Sequence, residues 1–129
     1  MSNMPKDAQE EQLRLELRLR LLEAQERATS NFIDFAKYVW PEMLVGEHHK
    51  RIANALDRVV EGKCKRLIVA MPPRHGKSQL ASYLFPAYLM GKKPTSKLIV
   101  GSHTAELAQR FGRMIRNLVD DDRYKELFP

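Results

Sequence analysis

The stretch LIVAMPPRHGKS, residues 67–78, decides the fold that this sequence predicts. Its first five residues form a continuous apolar run, and such a run beside two prolines is typical of a strand buried on both faces of a parallel sheet. Residues 77–90 have a helical composition, with Pro86 as an expected kink. A strand, a glycine-containing turn and a helix in this order predict the start of a right-handed βαβ unit.

A second apolar run continues this pattern towards the C-terminus. Residues 97–101, KLIVG, predict a second short buried strand. Residues 104–119 repeat apolar side chains at helical spacing, and Asp120-Asp121-Asp122 breaks that helix. The order from residue 63 to residue 129 is therefore strand, loop, helix, strand and helix, which predicts a fold of the α/β class.

The N-terminal residues 7–29 predict a long helix, although their leucines alternate as in a strand. Glu, Gln, Arg, Leu and Ala are good helix formers, and the Val, Ile and aromatic residues that strands favour are absent. Acidic residues stand four positions before arginines, which adds modest support for a helix. This helix either binds a partner or forms a solvated arm packed by one leucine face.

Two shorter helices are predicted before the first apolar run. Residues 31–40 place Phe32, Phe35 and Val39 on one face, and Pro41 ends the segment. Residues 47–60 are amphipathic, with Gly62 as a C-cap. The predicted domains are a helical leucine- and charge-rich arm at 1–30, a helical lead-in at 31–62 and a partial domain of strand, loop, helix, strand and helix at 63–129.

Composition and charge exclude several classes of protein. The chain has 129 residues with 22 Lys and Arg against 16 Asp and Glu, a formal charge of +6 that suits a polyanionic partner. Its one cysteine, Cys64, permits neither an intramolecular disulfide nor a cysteine-based zinc site. The sequence contains neither an apolar run long enough to span a bilayer nor the apolar core of a secretory signal at its start.

The sharpest chemical signal is Gly76-Lys77-Ser78 between the predicted strand and the predicted helix. Consecutive N–H groups at a helix start form an anion cradle, and Gly76 lets the backbone approach a phosphate closely. Lys77 can reach the β and γ oxygens, while the Ser78 hydroxyl suits Mg²⁺. The predicted phosphate-binding residues are Arg74, His75, Gly76, Lys77, Ser78 and Gln79.

The segment VAMPPRHGKS, residues 69–78, resembles the deviant phosphate-binding loop of the tailed-phage terminase large subunit, an ATP-driven DNA-packaging motor. That family often carries an arginine two residues before the glycine, where Arg74 stands, in place of an earlier glycine. Here Met71 occupies the position of that earlier glycine. The resemblance covers about residues 31–129 and implies an incomplete P-loop NTPase core, of the ASCE or helicase-like kind, with an N-terminal helical extension.

The resemblance also implies roles for individual residues. Lys77 and Arg74 would be the catalytic residues, with Lys77 on the β and γ phosphates of ATP and Arg74 sensing the γ-phosphate. Ser78 would ligate Mg²⁺. His48 and His49 lie where similar ATPases place an adenine-contacting motif, although the usual glutamine is absent, and simple exposed or capping histidines are the alternative.

Residues 102–104, SHT, follow the second predicted strand, where helicase-like ATPases couple nucleotide to nucleic acid. An N-cap at Thr104 explains the same residues without a functional role, and the two interpretations are compatible.

The family also implies partners. Double-stranded DNA, a terminase small subunit and a portal are expected, with a homo-oligomeric ring for the full-length protein, no membrane, and the cytoplasm of a phage-infected or prophage-carrying bacterium as the location. Residues 63–113 hold ten Lys and Arg and a single acid, Glu106, as a DNA-facing track would. A solvated basic surface around a phosphate pocket would look the same.

Two parts of a complete motor are missing from the sequence. No apolar run ends in Asp-Glu, the pair that holds magnesium and orients the attacking water, and the nuclease domain is absent. The chain is therefore expected to be the N-terminal piece of a larger protein and marginally stable alone. By itself it is expected to bind nucleotide weakly without turnover, whereas the full-length protein would be an ATPase and nuclease. The alternatives are another P-loop protein, such as a small-molecule kinase or a helicase-like ATPase, and a non-enzymatic basic DNA-binding module.

Overall fold

A computed structural model describes residues 4–70 and 79–129, and its regular structure there is helical. The helices are α1 (Lys6–Ser30), α2 (Phe32–Val39), α3 (Glu47–Val60), α4 (Phe85–Lys92), α5 (Ala105–Val119) and α6 (Asp122–Leu127), with a π-helical segment (Gln79–Leu84) leading into α4. Among these helices, none is both long and apolar enough to cross a membrane.

The predicted α/β fold is wrong, because the described residues contain no β-strand. Residues 67–70 and 97–101, which were expected to be buried strands, have no regular structure, and Ile68 and Ile99 are 93% and 98% exposed. An apolar run carries strand propensity but does not supply the neighbouring strand that its N–H and C=O groups require. The described part of the chain therefore has no α/β P-loop NTPase core.

α1, α2, α3 and α5, in contrast, were predicted to within one residue at each end, whereas the helix predicted at 77–90 is a π-helical segment from residue 79 followed by α4, which ends at residue 92. In α3 the buried residues Ile52, Leu56 and Val60 recur at helical spacing, so one face packs against the core. Gly62 ends this helix with a φ of +78°, where an L side chain would be strained. The N–H groups of Gly62 and Lys63 donate to the α3 carbonyls of Val59 and Arg58, at 3.1 and 3.0 Å. The C-cap prediction is confirmed.

The N-terminus of α2 is capped from two directions. The Asn31 side-chain oxygen accepts the N–H of Asp34 at 3.0 Å. Asp57, which lies on α3, accepts the N–H of the buried residue Phe32 at 2.9 Å. Burial raises the pKa of the Asp57 carboxyl, while its hydrogen bond to the Phe32 backbone acts in the opposite direction. Asp57 thus joins α3 to the start of α2.

Asp57→Ala should lower the free energy of unfolding by about 1–2 kcal/mol, because it leaves a buried N–H without its acceptor. Asp57→Asn keeps an acceptor oxygen and should cost little. The pKa of the Asp57 carboxyl is higher in the folded protein than in the unfolded chain, where it has its ordinary value of 3.8. The wild type should therefore lose stability relative to the Asn variant as the pH rises from 3.8 through the raised pKa. Urea unfolding of the three proteins between pH 3 and pH 7 measures both effects. Equal stability of the Ala and Asn variants would contradict the capping role.

The core is an aromatic cluster between α2, α4 and the C-terminal residues. Phe32 and Phe35 of α2 pack against Tyr88 of α4, with ring centroids 5.6 and 5.1 Å from the Tyr88 ring. Tyr124 and Phe128 close the cluster, with ring centroids 6.2 and 6.0 Å from Phe35. The Tyr124 hydroxyl donates to the Ala87 carbonyl at 2.8 Å, so this buried polar group is satisfied.

The π-helical segment explains how Pro86 is accommodated within a continuous helical stretch. Pro86 has no N–H and its ring would clash with the carbonyl four residues earlier in a regular α-helix. The chain widens to a π-helix over Gln79–Leu84, and Pro86 then occupies the first turn of α4. The predicted kink at Pro86 is thus a change of helix type just before it.

The triple aspartate ends α5 as predicted but also starts a further helix that the sequence reasoning missed. The Asp121 side chain accepts the N–H of Arg123 at 2.9 Å and caps α6. α6 carries the buried residues Tyr124 and Leu127 to the core. Its six residues are too few for a period to be recognised in the sequence.

Candidate nucleotide site

The predicted phosphate-binding loop adjoins two described segments. Arg74, His75, Gly76, Lys77 and Ser78 lie outside the described residues, as does the magnesium ligand predicted at Ser78. Gln79 is the first residue of the π-helical segment. The geometry around the loop is therefore that of residues 67–70 before it and of the helix after it.

The helix that follows the loop is fixed in place by the core. Leu80 and Leu84 are fully buried one turn apart, and Ala87 and Tyr88 continue the buried face into α4. Burial of side chains of this size contributes about 1.5–3 kcal/mol each. The described segment that follows the loop is therefore packed against the core from Leu80 onwards.

A cleft of about 300 Å³ lies between α3 and the segment that precedes the loop in the chain. We call it the α3 cleft; it is lined by His48, Arg51, Ile52, Ala55, Leu67, Ile68, Val69 and Ala70. Its walls are mostly apolar, with one imidazole and one exposed guanidinium as polar groups. Leu67, Ile68 and Ala70 are themselves exposed, so the cleft is open to solvent, and its volume is at the lower end of the range for small-molecule sites. Ala70 is the last described residue before the loop, so the cleft and the loop are contiguous along the chain.

The two adjacent histidines have different positions. The His49 Nδ1 accepts the N–H of Gly46 at 2.9 Å and so caps the N-terminus of α3. His48 lines the α3 cleft, and its ring centroid lies 3.8 Å from that of His49. The capping interpretation is therefore confirmed for His49, while contact of His48 with a base stays a prediction. Within residues 4–70 and 79–129 no group of three or more His, Cys, Asp and Glu side chains is placed to hold a metal ion.

Thr104 has the structural role that the sequence allowed. Its hydroxyl oxygen accepts the N–H of Leu107 at 3.2 Å and caps α5, which confirms the N-cap interpretation. His103 and Ser102 are exposed in the irregular segment before the helix. A role for these residues in coupling nucleotide to nucleic acid stays a prediction.

The basic residues predicted to face DNA lie on the surface. Lys92 donates to the Thr29 carbonyl at 2.7 Å and so joins the end of α4 to the end of α1. Lys63 lies 2.9 Å from Glu61 in an exposed ion pair. The other described basic residues of this block are all exposed: Lys65, Arg66, Lys93, Lys97, Arg110 and Arg113. Arg74 and Lys77 belong to the undescribed loop.

The sequence reasoning missed the α3 cleft itself. Arg51 stands among the polar residues of an amphipathic helix and has no distinguishing neighbour in the sequence. Ala55 lies one turn after Ile52 on the same helix, and its small side chain leaves the space that the cleft occupies. A larger cleft of about 590 Å³ lies among α1, α2 and α6, and no residue of the segment before the loop lines it.

No protein-family model, no curated protein and no solved structure matches this chain.

Proposed function

We propose that the chain binds ATP with Mg²⁺ at residues 74–79, as the nucleotide-binding segment of a motor like the terminase large subunit. The observation that supports the proposal is the α3 cleft, whose lining includes residues 67–70 directly before the loop in the chain, while Leu80 and Leu84 bury the segment that follows the loop. The phosphate site needs only a run of N–H groups at a helix start and a lysine, so it does not depend on a sheet.

The terminal phosphates would be held by the loop. Residues 74–79 offer six backbone N–H groups, because neither proline of the loop is among them. The ammonium group of Lys77 would neutralise the β and γ oxygens, and the Ser78 hydroxyl would coordinate Mg²⁺. Arg74 adds a second positive charge two residues before Gly76.

The nucleobase would occupy the α3 cleft. The faces of a purine ring are largely apolar. The side chains of Ile52, Ala55 and Val69 in the cleft wall are apolar as well. The guanidinium of Arg51 can stack on a base or donate to its ring nitrogens, and the imidazole of His48 can do either as well. The cleft would thus supply affinity through burial and selectivity through two polar groups.

The proposed DNA contact relies on charge. Lysines and arginines between residues 63 and 113 are exposed and would bind phosphates without reading sequence. The family resemblance adds double-stranded DNA, the small subunit, the portal and a homo-oligomeric ring as proposed partners, in the cytoplasm of a host bacterium.

A calorimetric titration of the chain with ATP in the presence of Mg²⁺ tests the proposal. Lys77→Ala should weaken binding at least about tenfold, since a charge-assisted hydrogen bond contributes about 1.5–3 kcal/mol. Lys97→Ala removes the same charge from an exposed segment and should change the affinity little.

Two outcomes would contradict the proposal. If both lysine variants weaken ATP binding equally, the nucleotide is held by overall charge and not by the loop. If the chain binds DNA but shows no magnesium-dependent affinity for ATP, the non-enzymatic basic module is the correct function.

A further inference from the structure

Two short runs of the chain share both their sequence and their exposure. Residues 67–70 read LIVA and residues 98–101 read LIVG, and we call them the first and the second LIV run. Their leucines are 37% and 38% exposed, and their isoleucines, Ile68 and Ile99, are 93% and 98% exposed. The valine that follows each isoleucine is half-buried. Exposure thus alternates along each run, as it does along a strand with one covered face.

Each LIV run has the residues of a strand without a strand beside it. Isoleucine and valine are among the residues most enriched in strands. Within residues 4–70 and 79–129, neither run pairs with another segment as a strand. Val69 packs against the core and so holds the first run on the surface of the fold. A surface run of this composition can pair its N–H and C=O groups with an extended segment of another chain.

The charges beside both LIV runs are positive. Lys65 and Arg66 precede the first run, and Lys93 and Lys97 precede the second. All four side chains are exposed, and none of them forms an ion pair with a described residue. The sequence has no Asp or Glu from residue 62 to residue 70 or from residue 92 to residue 105. These cations favour an occupant that carries acids.

We propose that each LIV run binds an extended, acidic peptide segment of a partner protein by strand addition. The backbone of the peptide pairs with the N–H and C=O groups of the run, and its β-branched side chains contact Ile68 or Ile99 across the strands. Antiparallel pairing places the C-terminal end of the peptide beside the cations that precede the run. The acids of the peptide therefore follow its β-branched residues.

Other occupants fit the two LIV runs less well. A second copy of the same run brings cations of the same sign to the interface and leaves all of them without acids. Nucleic acid meets the cations through its phosphates, but these contacts make no use of the exposed isoleucines. An acidic peptide strand uses the backbone, the isoleucines and the cations together, so removal of the isoleucine side chains distinguishes it from nucleic acid.

Fluorescence anisotropy with the whole chain tests the proposal. The probe is a labelled peptide of alternating threonine and valine residues followed by a run of aspartates, and the wild type should bind one peptide at each LIV run. Ile68→Gly and Ile99→Gly should each remove one site, because glycine has neither the cross-strand contact nor the strand propensity of isoleucine. The double variant should bind the peptide at least about tenfold more weakly.

A matched variant and two altered peptides serve as controls. Leu44→Gly removes an aliphatic side chain that is 88% exposed in another irregular segment, and it should leave the affinity for the peptide unchanged. A peptide with N-methylated valines keeps its charge but lacks half of its backbone donors, so it should bind at least about tenfold more weakly. A peptide with its aspartates before the threonines and valines should bind several-fold more weakly, since the antiparallel strand then places its acids away from the cations. Circular dichroism should show the same helix content in all variants, because none of the three residues lies in a helix.

Several results would overturn the proposal. Full affinity of the double variant, or of the N-methylated peptide, would show that the cations alone hold the peptide. Binding of a short DNA duplex without binding of the peptide would assign the cations to nucleic acid. Self-association that the double variant loses, again without binding of the peptide, would assign the LIV runs to a second copy of the chain. None of these measurements involves nucleotide, so their outcome is independent of the proposed ATP site.

Discussion

Phe35→Ala is expected to lower the free energy of unfolding by about 3–5 kcal/mol, the range for removing a buried phenylalanine. Phe35 is fully buried, and its ring centroid lies within 6.4 Å of four other aromatic rings, those of Phe32, Tyr88, Tyr124 and Phe128. These rings belong to α2, α4, α6 and the C-terminal residues. The substitution therefore loosens the contacts among these four elements.

Urea unfolding followed by circular dichroism measures this loss, with Phe111→Ala as the matched control. Phe111 is only half-buried on α5 and lies outside the core cluster. Its truncation should cost less than about 1 kcal/mol, in the range of surface substitutions and partly buried ones. Equal losses in the two variants would contradict the placement of the core around Phe35.

Gly91→Ala is expected to destabilise the protein by about 1–3 kcal/mol through overpacking. A Cβ at residue 91 would stand 2.6 Å from Cγ of Phe128, closer than two carbon atoms can approach. Phe128 would have to leave its place beside Tyr124 and Tyr88, where the ring centroids are 5.2 and 6.5 Å apart. Thermal unfolding should show a lower midpoint.

Gly112→Ala makes the same chemical change inside α5, where nothing lies within 4 Å of the new methyl group. It should stabilise the protein by about 0.5–1 kcal/mol, because alanine loses less backbone entropy in a helix. In a Phe128→Ala background the cost of Gly91→Ala should largely disappear. Persistence of the full cost there would show that the clash with Phe128 is not its cause.

The helices could be predicted because their signals are local. Glu47–Val60 repeats its apolar residues at helical spacing and is followed closely by Gly62, and both features can be recognised in the sequence alone. α1 was predicted from its composition and from the spacing of its acids and arginines, since its leucines fit a strand equally well. α6 was missed because its six residues carry no period.

The strands were predicted wrongly for the opposite reason. A strand is completed by a partner elsewhere in the chain, and the apolar run at residues 67–70 says nothing of that partner. The isoleucines that were expected in a core, Ile68 and Ile99, are almost fully exposed. Local apolarity was interpreted as burial, and burial depends on the rest of the fold.

Of the candidate site, the sequence suggested only the phosphate-binding loop, which lies outside the described residues. Gly76, Lys77 and Ser78 form a recognisable spacing, because each residue type has a distinct task at a phosphate. The α3 cleft has no such spacing. Arg51 and Ala55 come from one helix and Leu67 from an irregular segment, and only the packing of the two brings them together.

The single tryptophan of the chain, Trp40, follows α2 directly, and its N–H donates to the Ala36 carbonyl at 2.9 Å. Trp40 is 36% exposed and precedes Pro41, which lines the cleft of about 590 Å³ among α1, α2 and α6. Tryptophan fluorescence, excited where tyrosine hardly absorbs, therefore has one emitter, placed where the short second helix stops and the long first helix runs on alone. Changes in the tryptophan fluorescence therefore report on that junction without an added label.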